Sequence, residues 1–146
     1  GNWNGATNSW KYIDKYFFFY DMNDEVTHKK SYRLNNSTSV WELQGQTLMA
    51  EDSNGNLTRQ ITQKWSTSNQ TWENLRKYIR TYNVNSQQLS RTYEKWINNQ
   101  WVFQDKDERT YNNNGDKVSI ESFYSNKNEI YIFDGKTIFV FSFLKI

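Results

Sequence analysis

Four tryptophans recur at nearly constant spacing along this chain: Trp10, Trp41, Trp72 and Trp101 lie 31, 31 and 29 residues apart. Ten positions after each stand Tyr20, Glu51, Tyr82 and Tyr111, followed at once by the tetrapeptides DMND, DSNG, NVNS and NNNG. Every tetrapeptide opens with Asp or Asn and has Asn in third place. A period of this length marks a repeated supersecondary unit, and the tetrapeptides identify the unit. An Asx side chain can bond its own backbone two residues on, and Asn or Gly accepts the positive φ that a tight hairpin demands. Gly55 and Gly115 suit that left-handed position, whereas Asp24 and Ser86 fill it less comfortably. An aliphatic residue follows each turn (Val26, Leu57, Leu89, Val118), and a return segment then runs to Leu34, Trp65, Trp96 or Tyr124. Each repeat reads as strand, tight turn, strand.

Between repeats lie polar junctions bracketed by large side chains: WNGATNSW from Trp3, LNNSTSVW from Leu34, WSTSNQTW from Trp65 and the shortened WINNQW from Trp96. Because outgoing and return strands alternate, these junctions should gather at one end of a sheet and the Asx turns at the other. Rings facing each other across a loop mouth contribute roughly 0.5–1.5 kcal/mol beyond their burial, so the tryptophans are expected to staple the junctions. Trp96 is the exception, since counting from Leu89 sets it opposite Leu89 and Tyr93 unless a bulge intervenes in the return strand.

At 146 residues the chain is of single-domain size, long enough to bury roughly 70% of its unfolded surface. The repeats divide it at about 3–34, 35–65, 66–96 and 97–124, with a terminal hairpin over 125–146 turning at Asp134 and Gly135. Its 7 Trp, 10 Tyr and 9 Phe argue against disorder and for an aromatic core. Proline is absent, as suits a chain that is mostly paired strand.

Eighteen basic and sixteen acidic residues are interspersed to a net +2, which gives no electrostatic case for nucleic acid or an anionic membrane. No apolar stretch approaches the ~18 residues of a membrane-spanning helix, so no membrane insertion is expected, and no signal peptide opens the chain as given. Trp3 would suit the end of a return strand that begins before Gly1, so Gly1 is expected to be a boundary within a longer chain.

Alternation places Trp10, Tyr12, Tyr16, Phe18 and Tyr20 on one face, as it does Trp72, Tyr78 and Tyr82, or Trp101, Phe103 and Tyr111. Lys11, Lys15, Glu73, Lys77, Lys106 and Glu108 fall on the other. Only KYFFFY and the segment from Glu129 are apolar on both faces, as expected of strands covered on both sides or of a hairpin closing the end of a core. The expected fold is all-β, an up-and-down antiparallel meander of about ten strands, curled or barrel-like. A two-layer β-sandwich is the alternative.

Chemistry-bearing residues are sparse. The chain has no cysteine and a single histidine, His28, which removes thiolate and paired-histidine chemistry. No metal or cofactor is expected, and NNNGDK and DSNGN read as turns rather than ion loops. Asp14, Arg59, Arg76, Arg80, Arg91, Asp105, Asp107 and Arg109 fall on the predicted aromatic face. They would form either an Asp and Arg ladder or a polar groove floored by Trp and Tyr. Asp105 and Asp107 also have the spacing of a carboxylate pair for glycoside hydrolysis. The candidate ligand contacts are Trp65, Trp96, Asp105, Asp107, Arg76 and Arg109. Of three function classes, a noncatalytic structural or protein-interaction module requires least, a glycan or small-ligand binding module uses the surplus aromatics, and an enzyme has the least support.

Tyr20, Asp21 and Val26, then Asp52, Gly55 and Leu57, Tyr82, Asn83 and Leu89, and Tyr111, Asn112, Gly115 and Val118 together form a pattern of Tyr, Asx, two residues, Gly and an aliphatic. This resembles the YD repeat of the RHS-type family of secreted bacterial proteins. The tandem Trp and Tyr hairpins are also similar to those of uncharacterised secreted proteins of gut bacteria. Both resemblances run from residue 3 to about 124. They imply an extracytoplasmic, noncatalytic architecture, secreted, periplasmic or on the cell surface of a bacterium, without implying a ligand.

Overall fold

A computed structural model of the protein describes residues 2–4, 9–11, 14–125 and 131–138, with side chains over 14–125. Strands β1 (Asn2–Asn4) and β2 (Ser9–Lys11) form a separate two-stranded sheet in which Trp3 pairs with Trp10. The remaining strands are β3 (Asp14–Tyr20), β4 (Val26–Asn35), β5 (Val40–Glu51), β6 (Leu57–Ser66), β7 (Thr71–Tyr82), β8 (Gln88–Ile97), β9 (Gln100–Tyr111), β10 (Lys117–Ser125) and β11 (Tyr131–Ile138). They form one antiparallel sheet whose strand order is the chain order. Its body is the eight strands from β3 to β10, fewer than the ten expected. No helix occurs among the described residues.

The expected barrel-like closure is not formed. The order is linear, and β3 and β11 end it without pairing to each other among the described residues. The long strands all belong to one sheet. By contacts the chain divides into two compact units, Gly1–Ala50 with Gln60–Leu75, and Glu51–Arg59 with Arg76–Ile146.

All four Asx turns form where the repeats place them. In each, the first residue's Oδ1 accepts from two backbone amides: Asn23 and Glu25 donate to Asp21, Asn54 and Asn56 to Asp52, Asn85 and Gln87 to Asn83, and Asn114 and Asp116 to Asn112. The fourth position has φ of 62° at Asp24, 76° at Gly55, 59° at Ser86 and 85° at Gly115. The neck is closed by a side-chain bond in the last three turns, Asn56 to Asp52, Asn83 to Gln87 and Asn112 to Asp116. The first turn has two carboxylates there, Asp21 and Glu25, neither of which can donate when ionised. At the opposite end the shortened junction is a two-residue loop in which Asn98 and Asn99 both have positive φ, 50° and 63°, the signature of a type I′ hairpin.

Bulges interrupt the hairpins at both ends. Tyr20 pairs with Val26 and Phe19 with His28, leaving Thr27 unmatched; Leu89 and Val118 are likewise skipped after their turns. Gln44 and Gln104, each three residues past its tryptophan, are the extra residues in β5 and β9. From Ser90 to Trp96 the return strand is regular, and the bulge nearest Trp96 lies in the outgoing strand. Asp134 and Gly135 do not form the expected hairpin turn. They lie inside β11, where Asp134 is skipped between Phe133 and Gly135. Gly tolerates a bulge as readily as a turn, so the dipeptide marks a local kink in either setting. The segment after Ile138 lies outside the described residues.

The expected aromatic core is also absent: no hydrophobic side chain is fully buried among the described residues, and the buried set is Gly45, Thr47 and Ser119. Cationic side chains cover the rings instead, with their charged ends set over the ring faces. Lys15 Nζ sits 4.6 Å from the Trp41 ring and near Phe17 and Tyr32, Lys30 covers Phe19, and Lys77 Nζ lies 4.8 Å from Trp101. Cations over rings are attracted by the π quadrupole, by roughly 0.5–1 kcal/mol at exposed sites. The division into one core face and one solvent face is replaced by two half-buried faces that mix rings with charges. KYFFFY, expected to be covered on both sides, is exposed from Tyr16 to Tyr20.

Candidate functional site

Registers in the second unit show which expected site residues meet. Trp96 pairs with Trp101 and Glu94 with Phe103, whereas Tyr93 pairs with Asp105 and Arg91 with Asp107. The bulge at Gln104 reverses the alternation between Phe103 and Asp105. Trp101 and Phe103 thus share a face with Trp96, Glu94 and Lys77, while Asp105, Asp107 and Arg109 stand on the opposite face with Tyr78, Tyr93 and Arg91. Tryptophan does not floor the Asp and Arg cluster; tyrosine does.

On that face Tyr78 and Tyr93 stack with centroids 5.0 Å apart, and the Arg80 and Arg91 guanidiniums lie 5.5 and 6.0 Å from the Tyr78 ring. Arg91 Nη2 bridges both carboxylates, 3.1 Å from Asp105 Oδ1 and 2.9 Å from Asp107 Oδ2. Ser122 Oγ donates to Asp107 Oδ1 over 3.2 Å, and Arg109 Nη2 stands 3.7 Å from Asp107 Oδ2. Burial pushes the Asp105 carboxyl above its ordinary range; Arg91 opposes that shift and the Asp107 charge adds to it. The Nε atoms of Arg91 and Arg109 are buried without a hydrogen-bond partner among the described residues. Arg76 lies apart in register with Lys95. This is the ladder form of the two sequence readings: both carboxylates are already held by arginine.

On the other face, Trp96 and Trp101 meet edge to face with centroids 4.9 Å apart, and Lys77 pairs with Glu94 alongside. In the first unit Trp65 and Trp72 repeat the geometry at 4.9 Å, and Lys64 pairs with Glu73 at 2.8 Å. The hydrogen bonds from Lys64 and Ser66 hold the Glu73 carboxyl below its ordinary value. Trp65 also lines a shallow cavity of about 380 Å³ with Glu42, Leu43, Gln44 and Thr67. Sequence reasoning found Trp65 but not the cavity, because Gln44, which lines it, is an extra residue in β5 that no distinctive residue pattern marks. His28 is a strand residue, its ring stacked 4.2 Å from Phe19.

One element of the repeat escaped the sequence reading. The Tyr82 hydroxyl donates to the carbonyl of Leu57 and the Tyr111 hydroxyl to that of Gln88. Leu57 and Gln88 each stand five residues after the first Asx of the preceding turn. The repeat tyrosine thus ties its strand to the return strand of the hairpin before it.

Comparison with known proteins bears on the fold. No family model matches the chain, and no curated protein matches it. Among solved structures it is similar to a protein of unknown function from Bacteroides fragilis, with a TM-score of 0.66 and 14% identity over 92% of this chain and 96% of that one. It is also similar to DUF3836 family proteins from Bacteroides vulgatus (TM-score 0.51, 20% identity, 62% of this chain and 90% of that one) and Parabacteroides distasonis (0.50, 15%, 62% and 87%). At these identities the likeness shows a shared antiparallel β fold, and it lies among bacterial proteins of unknown function.

Proposed function

We propose that the chain is a noncatalytic β-repeat module, secreted or held in a bacterial cell envelope, that acts by docking against other polypeptide. One observation carries this reading: five consecutive aromatic residues, Tyr16 to Tyr20, stand exposed on a strand at the end of the sheet order. Surfaces of that kind mark interaction sites in soluble proteins. The YD-like turns, which resemble those of secreted bacterial proteins, support the extracytoplasmic location. Against catalysis stands the occupancy of the carboxylates, since Arg91 holds both Asp105 and Asp107. Broad assays on glycosides, esters and phosphates, run with Asp105→Asn and Asp107→Asn beside the parent, test this. Turnover that either substitution abolishes would refute it.

The cavity beside Trp65 favours a second reading, a glycan or small-ligand site with an indole platform and hydrogen-bonding groups from Glu42, Gln44 and Thr67. Glycan-array screening followed by calorimetry decides between the two. A hit lost in Trp65→Ala and kept in Trp96→Ala would establish the second reading.

A further inference from the structure

Register sorts the charges of the second unit by face. Between the bulges, Arg76, Tyr78 and Arg80 of β7 stand opposite Lys95, Tyr93 and Arg91 of β8. Tyr93 and Arg91 in turn stand opposite Asp105 and Asp107 of β9, with Arg109 next along the same face. Strand β10 adds the uncharged Ile120, Ser122 and Tyr124. That face holds five cations against two carboxylates, whereas the other holds Lys77 and Lys106 against Glu94, Glu108 and Glu121. Charges interspersed along the sequence are thus separated in the sheet, with an excess of three positive charges on one face.

The Asp and Arg ladder balances itself, since Arg91 and Arg109 stand against Asp105 and Asp107. The excess belongs to Arg76, Lys95 and Arg80. Arg76 and Lys95 are exposed and directly opposed, and Arg80 is opposed to Arg91. Like charges in direct opposition across strands are destabilising, and such pairs flank the Tyr78 and Tyr93 stack on both sides. A bound carboxylate relieves that repulsion, because guanidinium and ammonium groups make their strongest hydrogen bonds to anions.

Spacing identifies the partner. The two cationic rows lie four residues apart along β7, about 13 Å at a rise of about 3.3 Å per residue. Alternate side chains of an extended peptide keep the same period. A segment lying along the strands can therefore set an acidic residue at each cationic row and an apolar one over the tyrosines between them. A polymer charged at every unit, such as a nucleic acid or a sulfated glycan, would instead set an anion against Asp105, which stands in the tyrosine row. We infer that this face takes an acidic, extended segment of another polypeptide, with one carboxylate at Arg76 and Lys95, an apolar side chain over Tyr78 and Tyr93, and a second carboxylate at Arg80. The inference rests on reading the protein as a module that docks against polypeptide, and it names the chemistry of the segment.

Fluorescence anisotropy of a labelled, end-capped peptide repeating Glu-Thr-Phe-Thr, titrated with the full chain, tests this. Binding is expected at low salt and should weaken as the charges are screened by about 0.5 M salt. The same peptide with Gln in place of Glu should bind roughly 10-fold more weakly. Lys95→Glu sets a carboxylate opposite Arg76, so it should leave the melting temperature unchanged or raised while weakening the acidic peptide roughly 10-fold. A merely structural role for Lys95 would not separate the two readouts in that way. Should the circular dichroism of Lys95→Glu differ from the parent's, Lys95→Gln takes its place, with a weakening of roughly 3-fold expected. A parent that does not bind the acidic peptide, equal binding of the Gln peptide, a folded Lys95 variant that binds as the parent does, or tighter binding of oligothymidylate or heparin in the same salt would each overturn the inference. The turnover assays of Asp105→Asn and Asp107→Asn are independent of this one, so its failure leaves the noncatalytic reading standing.

Discussion

Truncating Trp101 to alanine removes three interactions at once. Full burial of an aromatic residue makes its loss cost roughly 3–5 kcal/mol, and Trp101 is half-buried, which brings the expected cost to about 2 kcal/mol. Within that figure the edge-to-face contact with Trp96 accounts for roughly 0.5–1.5 kcal/mol, and the Lys77 ammonium 4.8 Å from the ring for about 0.5 kcal/mol more. Trp96 shares the first contact but has no cation against it among the described contacts. Trp96→Ala should therefore be the milder substitution, at about 1.5 kcal/mol, and the pair should couple by roughly 0.5–1.5 kcal/mol in a double-mutant cycle. For a chain of this size, 2 kcal/mol lowers the melting temperature by about 4–8 °C. Urea titrations followed by far-ultraviolet circular dichroism, on parent, both single variants and the double variant, give every quantity. If either single substitution costs less than about 0.5 kcal/mol, the usual range for surface changes, or if the coupling vanishes, the rings are not a staple and the reasoning fails.

Three more predictions use the same titrations. A Cβ added at Gly45 would meet the Gln63 carbonyl oxygen at 2.6 Å, so Gly45→Ala must force backbone apart and should cost about 1–3 kcal/mol; a neutral result would mean that β5 and β6 are not held that closely. Ser86→Gly should stabilise by about 0.5–1 kcal/mol by relieving the left-handed conformation that Gly55 and Gly115 adopt in sister turns, and a loss of stability would contradict that account. Burial raises the Asp105 carboxyl above its unfolded value, so the folded state takes up a proton more readily than the unfolded one, and the ionised group costs stability at neutral pH. That cost fades as pH falls through the raised value towards the ordinary one. Asp105→Asn should consequently be neutral or stabilising at pH 7 and should flatten the rise in stability on acidification through that window; marked destabilisation at pH 7 would show that the Arg91 pairing outweighs burial.

The turns were the most legible part of the fold, for a local reason. Asp21, Asp52, Asn83 and Asn112 each satisfy two backbone amides of their own turn, so the residue type and the conformation it stabilises lie within five residues of each other. The tryptophan junctions were legible for a similar reason, since a loop mouth brings its flanks together regardless of what happens further along the strand. Facing was not legible. Gln44 and Gln104 look like ordinary strand residues, yet each inserts one position and reverses the alternation beyond it, which moved Asp105, Asp107 and Arg109 away from Trp101 and Phe103. Aromatic abundance was read as a core because rings normally bury against rings. In this chain the charged ends of lysine and arginine lie over them, and cationic cover of that kind leaves no signature in composition.

Each strand of the large sheet pairs only with its neighbours in sequence, and the contacts between adjacent strands span short stretches of chain, 20 residues from His28 to Leu48 and 25 from Leu57 to Tyr82. Closing such loops costs little chain entropy, and topologies dominated by short-range pairing fold quickly. A hairpin can therefore form as soon as its own two strands are available, before the next has been made, and each finished hairpin offers a template edge to its successor. Such a chain can be completed one hairpin at a time from its N-terminal end.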